Sequence, residues 1–462
     1  MRLALLYLFA LLCIPFYIGP ELAPNAQLNA ERLLLALLVA LAALGILRGV
    51  VGPALSSLAS ERQLFLALMI LFFFWRALAA LLSGSTVAIY VYINELISNA
   101  FVFVLFYGIL LRGNMERHLM RVFSVSIAWI LGVVLWELGT GANPFTALAS
   151  DSTNFAISQA TIERAGLLRT KGTFEHPLTL GYFAALLLPI FLFVDRKFVG
   201  RRAALFFAAA LVFCGAMTGS RSTILLLSAE VSLYLVFRGF RVTSFGRQVN
   251  LGLFALPLLP VITIAAVSFA EARAGRDLFD DYVRGAQIHN GFIAIQNAPW
   301  FGYGDGRGAT NSIANAMRYG DGAMRLWEAN LSTIDNWYLS VMLASGFPGA
   351  ALFIALQLAV LLPSILTILN RDARAVLTRE NMLGLYGGLT VALMASNAFM
   401  AILSIFTLHP LHYIIQAWLV FLSVRVSRAL RQDRADRGDE PLVRPLQRSV
   451  PQRPSGGGAR WT

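Results

Sequence analysis

Residues 216–223 read "AMTGSRST" and separate two apolar runs, "AALFFAAALVFCG" at 203–215 and "ILLLSAEVSLYLVF" at 224–237. Glycine and small polar residues are typical of a tight turn between two helices. A turn has no need of a guanidinium group, yet Arg221 stands within this one. The stretch therefore predicts two adjacent helices, joined by a turn that carries a charge with a role of its own.

The composition of the whole chain agrees with membrane helices. Of its 462 residues 58% are hydrophobic, and the mean hydropathy is +0.68. A soluble protein cannot cover so much apolar surface, whereas apolar runs of about 17–25 residues fit helices that cross a bilayer. We expect an all-α, polytopic membrane helix bundle with about 12 transmembrane helices. The predicted spans are 3–19, 33–50, 64–82, 93–111, 119–138, 178–194, 203–218, 222–237, 251–270, 336–362, 383–405 and 410–425.

The basic residues predict how this bundle is oriented. If the N-terminus is cytoplasmic, 25 of the 37 lysines and arginines fall on the cytoplasmic side, in agreement with the positive-inside rule. Both termini are then cytoplasmic, and two long loops, 139–177 and 271–335, are extracytoplasmic. This arrangement indicates a multi-pass protein of a bacterial inner membrane with an extracytoplasmic active site. Topology thereby explains the net charge of +12, and nucleic acid is not expected as a partner.

Six segments follow from this scheme. Transmembrane helices occupy 1–138, 178–270 and 336–425, separated by the loops, of which 271–335 is expected to be the catalytic one. The segment 426–462 is rich in arginine, proline, glycine and aspartate, so we expect a disordered cytoplasmic tail. Cys13 and Cys214 both lie in apolar runs and are interpreted as small core residues.

Two interpretations of Arg221 are open. As an anchor, its guanidinium would reach the lipid headgroups from the end of a helix. As a phosphate clamp, its planar fork would bind phosphate oxygens. Ser220 and Ser222 are small enough to let a phosphate approach the free N–H groups at the start of the next helix.

Two later stretches add candidates for the same site. Arg284 begins "RGAQIHNGFIAIQNAPWFGYGDG" and is followed five residues later by His289. His289 either contacts substrate, as a catalytic group, or is a structural or solvent-facing loop residue. No Gly-Lys-Ser/Thr follows the glycine-rich end, so it is not a nucleotide-binding P-loop. Asp335 and Asn336 precede another apolar run. There Asp335 is a helix N-cap, a catalytic group, or both.

Weaker candidates lie elsewhere. Arg169 and Lys171 in "RTKGTFEHP" either hold anionic groups of a substrate or make a basic loop near the headgroups. His176, near the end of that stretch, is a candidate substrate contact. Arg76 lies inside the third predicted span, where it would line a groove for lipid tails or pair with a distant acid.

Four motifs occur in one order along the chain: "RTKGTFEHPLTLGYFAALLLP", "TGSRST", "RGAQIHNGFIAIQNAPWFGYGDG" and "DNWYLSVMLASGFPG". Together they resemble the O-antigen ligase and O-antigen polymerase superfamily, over about residues 165–410. The resemblance implies a metal-independent, inverting glycosyl transfer outside the inner membrane, without a cofactor. The donor would be a glycan on undecaprenyl pyrophosphate. The acceptor would be lipid A core in a ligase, or another lipid-linked glycan in a polymerase.

Roles for particular residues are also implied by the resemblance. Arg221 and Arg284 match the two arginines that the superfamily associates with the donor pyrophosphate. Many members carry His-Asn where this chain has Asp335 and Asn336, so Asp335 would replace a histidine that engages the acceptor hydroxyl. Asn336 and Tyr338 of this motif are expected to contact substrate.

Three functions are weighed on these grounds. A polymerase of exopolysaccharide or O-antigen repeats comes first, and an O-antigen ligase comes second. A lipid-linked glycan flippase or another transporter comes third, because it would need charged residues in many spans and broken helices. The expected partners are the donor, the glycan or lipid acceptor, the bilayer, and polysaccharide chain-length or export proteins. The sequence contains no Asp-x-Asp or His/Asp cluster, and no metal is expected.

Overall fold

The computed structural model describes residues 1–23, 26–113, 115–148, 163–164, 167–238, 241–244, 247–250, 279–305, 309, 336–402 and 408–436. These residues are mostly helical, as predicted. The α-helices are α1 (Arg2–Cys13), α2 (Ala30–Ala43), α3 (Arg48–Glu61), α4 (Gln63–Leu82), α5 (Thr86–Glu95), α6 (Val102–Leu111), α7 (Met115–Thr140), α8 (Pro177–Phe193), α9 (Arg201–Ala216), α10 (Arg221–Arg238), α11 (Phe279–Asn297), α12 (Trp337–Leu369), α13 (Arg371–Arg379), α14 (Leu383–Ile402) and α15 (His409–Asp436).

Shorter elements connect some of these helices. A π-helix, Leu96–Phe101, joins α5 to α6, and a 3₁₀ turn covers Thr146–Leu148. Three antiparallel strand pairs, which the sequence did not predict, also occur. They are β1 (Glu21–Ala23) with β2 (Ala26–Gln27), β3 (Glu163–Arg164) with β4 (Leu167–Leu168), and β5 (Arg241–Ser244) with β6 (Arg247–Asn250).

Six helical segments of the described residues are long and apolar enough to cross a membrane. They are α4, Thr86–Leu111 (α5, the π-helix and α6), α7, α12, α14 and α15. The helices α2 and α3, bent by 82° at their junction, add a seventh if they form one span. The described residues therefore support a multi-pass bundle with fewer clear spans than the 12 predicted. Helices α1 and α8 are apolar but shorter, and the predicted span 251–270 lies outside the described residues.

Helix α8 lies at the centre of the bundle, packed against α9, α10 and α14. Almost all of its side chains are buried by neighbouring helices, which agrees with a sequence that is apolar on every face. Glycines permit the closest approaches. A Cβ at Gly181 would collide with the Thr223 hydroxyl of α10, and one at Gly388 of α14 would lie 2.8 Å from the Pro189 carbonyl oxygen. Helix α8 thereby fixes α10 and α14 relative to each other.

The bundle has two distinct ends. Helices α8, α10 and α12 begin at one of them, which we name the motif end and define by His176, Arg221 and Asn336. Helices α3 and α15 contribute side chains to the other, which we name the ion-pair end and define by Glu61 and Arg428. The candidate residues of the four motifs gather at the motif end.

Paired charges of partly exposed side chains tie the ion-pair end together. Arg428 Nε contacts Glu61 Oε1 at 3.1 Å, and Arg431 pairs with the other oxygen of the same carboxylate. Arg379 Nη2 contacts Asp433 Oδ2 at 3.0 Å. Exposed pairs of this kind contribute only about 0–1 kcal/mol each, so this end is held by many weak contacts.

Helix α12 is not one straight rod. Gly346 has φ 73° and ψ −178°, which interrupts the helix. The rings of Tyr338 and Phe353 lie 5.5 Å apart, although fifteen residues of straight helix would separate their backbones by about 22 Å. The nine residues before Gly346 therefore fold back against the longer half of α12.

The segment 299–304, from the glycine-rich third motif, fills this break. Tyr303 N donates to Leu343 O at 2.7 Å, and Gly304 N donates to Ala344 O at 3.1 Å. In return Phe347 N donates to Pro299 O at 2.8 Å. These bonds satisfy carbonyl and amide groups that an unbroken helix would pair internally. We name the unit of residues 299–304 and 343–347 the glycine clasp.

Glycine is required at the centre of the clasp. A Cβ at Gly302 would collide with Leu343 O, and a Cβ at Gly346 would collide with Trp300 O. Both residues also have positive φ values, 64° and 73°, which side chains rarely adopt. Trp75 of α4 closes the unit from one side, since its indole N–H donates to Ser345 O at 2.9 Å.

The predicted segments differ from the structure in several boundaries. Helix α11 lies within the predicted loop 271–335, because its amphipathic sequence packs on α12. The break between α2 and α3 falls inside the predicted span 33–50, and α12 continues past residue 362 to Leu369. The prediction of a disordered tail over 426–462 is wrong for its first part, because α15 continues as a helix to Asp436. Residues 310–335 and 437–462 lie outside the described residues.

Candidate functional site

The turn around Arg221 forms the start of α10. Ser220 is the capping residue, since Thr223 N donates to its Oγ at 3.4 Å and Ile224 N donates to its carbonyl oxygen at 3.0 Å. The hydroxyls of Ser220 and Ser222 lie 3.1 Å apart. Arg221 is therefore the first helical residue, where the helix dipole is positive and favours an anion.

Arg169 joins this turn from the preceding motif. Its Nε donates to Thr218 O at 2.6 Å, and Thr170 N donates to Met217 O at 3.1 Å. A Cβ added at Gly219, which has φ 60°, would lie 3.3 Å from Arg169 Cγ. The structure thus brings Arg169 and the Arg221 turn together, although 52 positions separate the two arginines in the chain.

Lys171 is held by a carboxylate that the sequence analysis did not select. Glu137, near the end of α7, accepts from the backbone N–H groups of Lys171 at 3.1 Å and Gly172 at 2.8 Å. Its other oxygen accepts from Asn143 Nδ2, which also donates to Gly172 O at 2.7 Å. Burial lowers the pKa of the Lys171 ammonium, and the nearby Glu137 acts in the opposite direction. Glu137 therefore fixes the loop that carries Arg169 and Lys171.

His176 has a structural task at the start of α8. Its Nδ1 accepts from Leu178 N at 3.1 Å, so it acts as the N-cap of that helix. Pro177 follows at the first helical position, where its missing N–H is not needed. The predicted substrate contact of His176 therefore stays a prediction, to be made by its other ring nitrogen.

Helix α11 packs in parallel against the first part of α12. Gly291 approaches Leu339 so closely that a Cβ would lie 2.9 Å from the leucine Cδ2, and the clasp joins the two helices further along. Arg284 lies in α11, two turns or about 10 Å before Gly291; its side chain is not described. The structure thus brings the Arg284 and Asn336 motifs side by side.

His289 lies on the other face of α11. It is exposed, whereas Asn290, Gly291, Ala294 and Ile295 are buried. The imidazole therefore does not lie on the face that packs against α12. Its predicted substrate contact stays a prediction, and it is not brought together with Asn336 within α11 and α12.

Asn336 and Tyr338 tie the start of α12 to α14. Asn336 Oδ1 accepts from Leu339 N at 2.9 Å, and its Nδ2 donates to Ala401 O at 2.8 Å. The Tyr338 hydroxyl donates to Asn397 Oδ1 at 2.7 Å. Asn336 is thus the observed N-cap of α12, while Asp335, the predicted cap or base, lies outside the described residues.

Neighbouring helices connect the two helix starts. Thr223 of α10 packs on Gly181 of α8, and the next residue, Tyr182, hydrogen-bonds Ser396 of α14 at 2.6 Å. The residue after Ser396 is Asn397, the partner of Tyr338. The Arg221 turn and the start of α12 therefore lie at the same end of the bundle, on either side of α8 and α14.

Two carboxyl groups inside the bundle, those of Glu95 and Glu230, were not predicted from the sequence. Arg76, which is 2% exposed, pairs with Glu95 of α5 at 2.7 Å, so it does have the distant acidic partner considered above. Glu230 of α10 is 3% exposed, and neither of its oxygens has a hydrogen-bond partner among the described residues. A single acid in an apolar run was the available signal in both cases.

A group of side chains suited to a metal is not found in the described part of the chain. The predicted independence of a metal stays a prediction. At the motif end Arg169 and Arg221 lie beside a helix N-terminus, with Lys171 two residues from Arg169. The Glu137 carboxylate nearby is bound to the backbone N–H groups of Lys171 and Gly172. This arrangement suits the binding of an anion such as a phosphate ester.

Comparison with known families agrees with the motifs. Residues 178–354 match a family model described as O-Antigen ligase, a segment that runs from the start of α8 into the longer half of α12. A search among curated proteins found no match. The resemblance to the O-antigen ligase and polymerase superfamily is confirmed over this segment, which contains the Arg221 turn, Arg284, the glycine clasp and Asn336.

Proposed function

We propose that this chain, a multi-pass membrane protein with an O-antigen ligase family segment at 178–354, polymerises glycan repeats carried on undecaprenyl pyrophosphate. The product would be an exopolysaccharide or an O-antigen. The observation that carries the proposal is the position of Arg221 at the first turn of α10, beside Arg169 and at the same end of the bundle as the Arg284 and Asn336 motifs.

The cationic residues act on the leaving group. The acceptor hydroxyl oxygen attacks the anomeric carbon of the donor, and the bond from that carbon to the phosphate oxygen breaks. Undecaprenyl pyrophosphate leaves with the electron pair of that bond. Arg221 and Arg284 stabilise its charge, assisted by Arg169 and by the N–H groups at the start of α10. A diphosphate needs this stabilisation more than it needs a proton.

Asp335 acts on the acceptor. It directly precedes the N-cap of α12 and occupies the place of the histidine that many relatives carry. As a carboxylate it accepts the proton of the attacking hydroxyl. Inversion at the anomeric carbon follows, because the acceptor attacks from the side opposite the pyrophosphate.

The proposal is tested with the full-length protein in lipid nanodiscs and a lipid-linked glycan donor. Arg221→Lys and Arg284→Lys should each lower kcat by about 10²-fold, because a point charge cannot reproduce a bidentate fork. Arg428→Lys at the ion-pair end is the matched control and should keep its activity. Normal polymer from both motif-end variants would refute the phosphate clamp and leave Arg221 as a bilayer anchor.

A ligase is the second candidate, because the matching family is described as O-Antigen ligase. The two functions differ in the acceptor and not in the donor chemistry. Offering lipid A core and lipid-linked glycan together in one assay separates them. Transfer to lipid A core alone would make the chain a ligase.

The orientation of the chain belongs to the same proposal. The motif end is placed outside the cytoplasm at a bacterial inner membrane, where chain-length or export proteins would receive the product. Cysteines at Ser152 and Ser312 should react with an impermeant maleimide once the outer membrane is permeabilised. Protection of both, together with labelling of a cysteine in the tail, would invert the orientation.

A further inference from the structure

A chain of buried hydrogen bonds crosses four helices near the motif end, and the mechanism above does not use it. The Tyr182 hydroxyl lies 2.6 Å from Ser396 Oγ, and Ser396 Oγ lies 2.7 Å from His412 Nδ1. His412 Nε2 lies 3.1 Å from Gln357 Oε1. The four side chains come from α8, α14, α15 and α12, and none is more than 2% exposed. We name this set the His412 chain.

The hydrogen bonds of the His412 chain run in one direction. With the Gln357 amide placed so that Oε1 faces the ring, the proton of the imidazole is assigned to His412 Nε2, which donates it. His412 Nδ1 then accepts from the Ser396 hydroxyl, and Ser396 Oγ accepts from the Tyr182 hydroxyl. The imidazole is neutral and held at both nitrogens. Consecutive bonds of one direction strengthen each other in surroundings of low dielectric constant. Gln357 Nε2 has no hydrogen-bond partner among the described residues.

The His412 chain supports the part of α14 that holds the start of α12. Ser396 is followed by Asn397, which accepts from Tyr338. One turn further, Ala401 O accepts from Asn336 Nδ2 at 2.8 Å. Asn336 and Tyr338 are the first residues after Asp335 in the sequence. Displacing Ser396 would therefore move the backbone to which Asp335 is attached.

We infer that the His412 chain is a positioning device for the acceptor side of the site. It fixes α14 against α8, α12 and α15, and α14 in turn fixes the residues next to Asp335. The inference rests on the proposed function, in which Asp335 takes the acceptor proton. His412 and Ser396 are positioning residues, since neither touches a reacting atom.

The ion-pair side of the bundle supplies a matched control. Tyr386 of α14 and Ser423 of α15 form a second buried tyrosine–serine hydrogen bond, 2.8 Å long. It joins two of the same helices and has the same residue types. Tyr386 lies near the start of α14, about ten residues or 15 Å from Ser396. The bonds to the start of α12 are made at the other end of α14, by Asn397 and Ala401. A purely structural role predicts equal consequences for the two pairs.

The experiment compares Ser396→Ala, Ser396→Thr and Ser423→Ala in the full-length protein. Ser396→Ala should lower kcat about tenfold or more, because small displacements of a catalytic group are costly. The donor KM should stay within about twofold, since the phosphate clamp is untouched. Ser396→Thr, which keeps the hydroxyl, should restore kcat, and Ser423→Ala should change neither constant. Equal losses of kcat in the two alanine variants would overturn the inference.

A second readout needs no substrate. Amide hydrogen exchange in residues 337–345 should be faster in Ser396→Ala and unchanged in Ser423→Ala. Unchanged exchange in Ser396→Ala would overturn the inference whatever the activity. If the wild-type protein transfers no glycan, the proposed function is wrong, and so is the catalytic role of the His412 chain. The exchange rates then decide alone whether the His412 chain holds the start of α12.

Discussion

Glu137 at the motif end and Glu61 at the ion-pair end use the same carboxylate in different ways. Glu137 is 4% exposed and accepts from two backbone N–H groups, which are fixed in place by the chain itself. Glu61 accepts from Arg428 and Arg431, whose flexible side chains are 50% and 55% exposed. Backbone donors impose a geometry, whereas exposed arginines allow many. The Glu137 contacts at the motif end therefore hold one geometry, whereas the arginine contacts at the ion-pair end can be made in several.

The largest effect is expected when the glycine clasp is broken. Gly346→Ala forces a side chain into a backbone conformation that is essentially restricted to glycine, at a cost of about 3 kcal/mol, and drives its Cβ against Trp300 O. Little folded protein should accumulate in the membrane. Gly387→Ala in α14 is the control, because no atom lies within 4 Å of its added Cβ. Thermal unfolding in detergent measures both, and equal Tm values would contradict the role of the clasp.

A large loss of activity without a loss of stability is expected at Asp335. Asp335→Asn keeps the size of the side chain but removes the base, so the transfer rate should fall by about 10²–10⁴-fold. Asp433→Asn, which disturbs the exposed pair with Arg379 at the ion-pair end, should leave the rate unchanged. Product formed per amount of protein in the membrane is the measurement. Near-normal product from Asp335→Asn would reduce Asp335 to a residue beside the helix cap.

A smaller effect, on the free energy of unfolding, should distinguish Glu137 from Glu61. Glu137→Gln weakens the hold on the loop of Arg169 and Lys171 and should cost about 1–3 kcal/mol of stability, because a buried carboxylate with several donors is replaced. Glu61→Gln should cost less than about 1 kcal/mol, since its partners are exposed. Denaturant unfolding in detergent gives both values. If Glu61→Gln proved the more damaging, the contrast between the two ends would be reversed.

Raised salt should have the smallest effect on stability, and only through the contacts of the ion-pair end. Added salt screens the exposed pairs of Arg379 and Arg428 and leaves buried contacts nearly unaffected. The difference in Tm between wild type and Glu61→Gln should therefore shrink at about 1 M salt. The difference between wild type and Glu137→Gln should persist. Equal shrinkage of the two would mean that Glu137 is also held by exposed charge.

Much of this arrangement follows from patterns along the chain. The apolar runs on both sides of Arg221 predicted α9 and α10, because an uninterrupted apolar run is itself the signal for a buried or membrane helix. Ser220 and Asn336 are residue types that cap helices, and both stand where helices begin. Local chemistry was sufficient for these features.

Other features depend on contacts between distant segments. The break at Gly346 lies inside a run that is apolar on both sides, so hydropathy continues through it; only docking of 299–304 makes the break stable. Arg76 and Glu95 are nineteen residues apart, and the sequence does not say that a hairpin of helices joins them. The alignment of Tyr182, Ser396 and His412 likewise exists only after three helices have packed.

The glycine clasp sets limits on how the length of this chain can vary. Gly291 contacts Leu339, and Tyr303 N donates to Leu343 O. The 12 positions from Gly291 to Tyr303 are therefore matched to the four positions from Leu339 to Leu343. One residue inserted or deleted between Gly291 and Tyr303 within α11 would rotate one contact by about 100° relative to the other. Relatives that form the same two contacts should therefore keep the number of residues between Gly291 and Tyr303 unchanged.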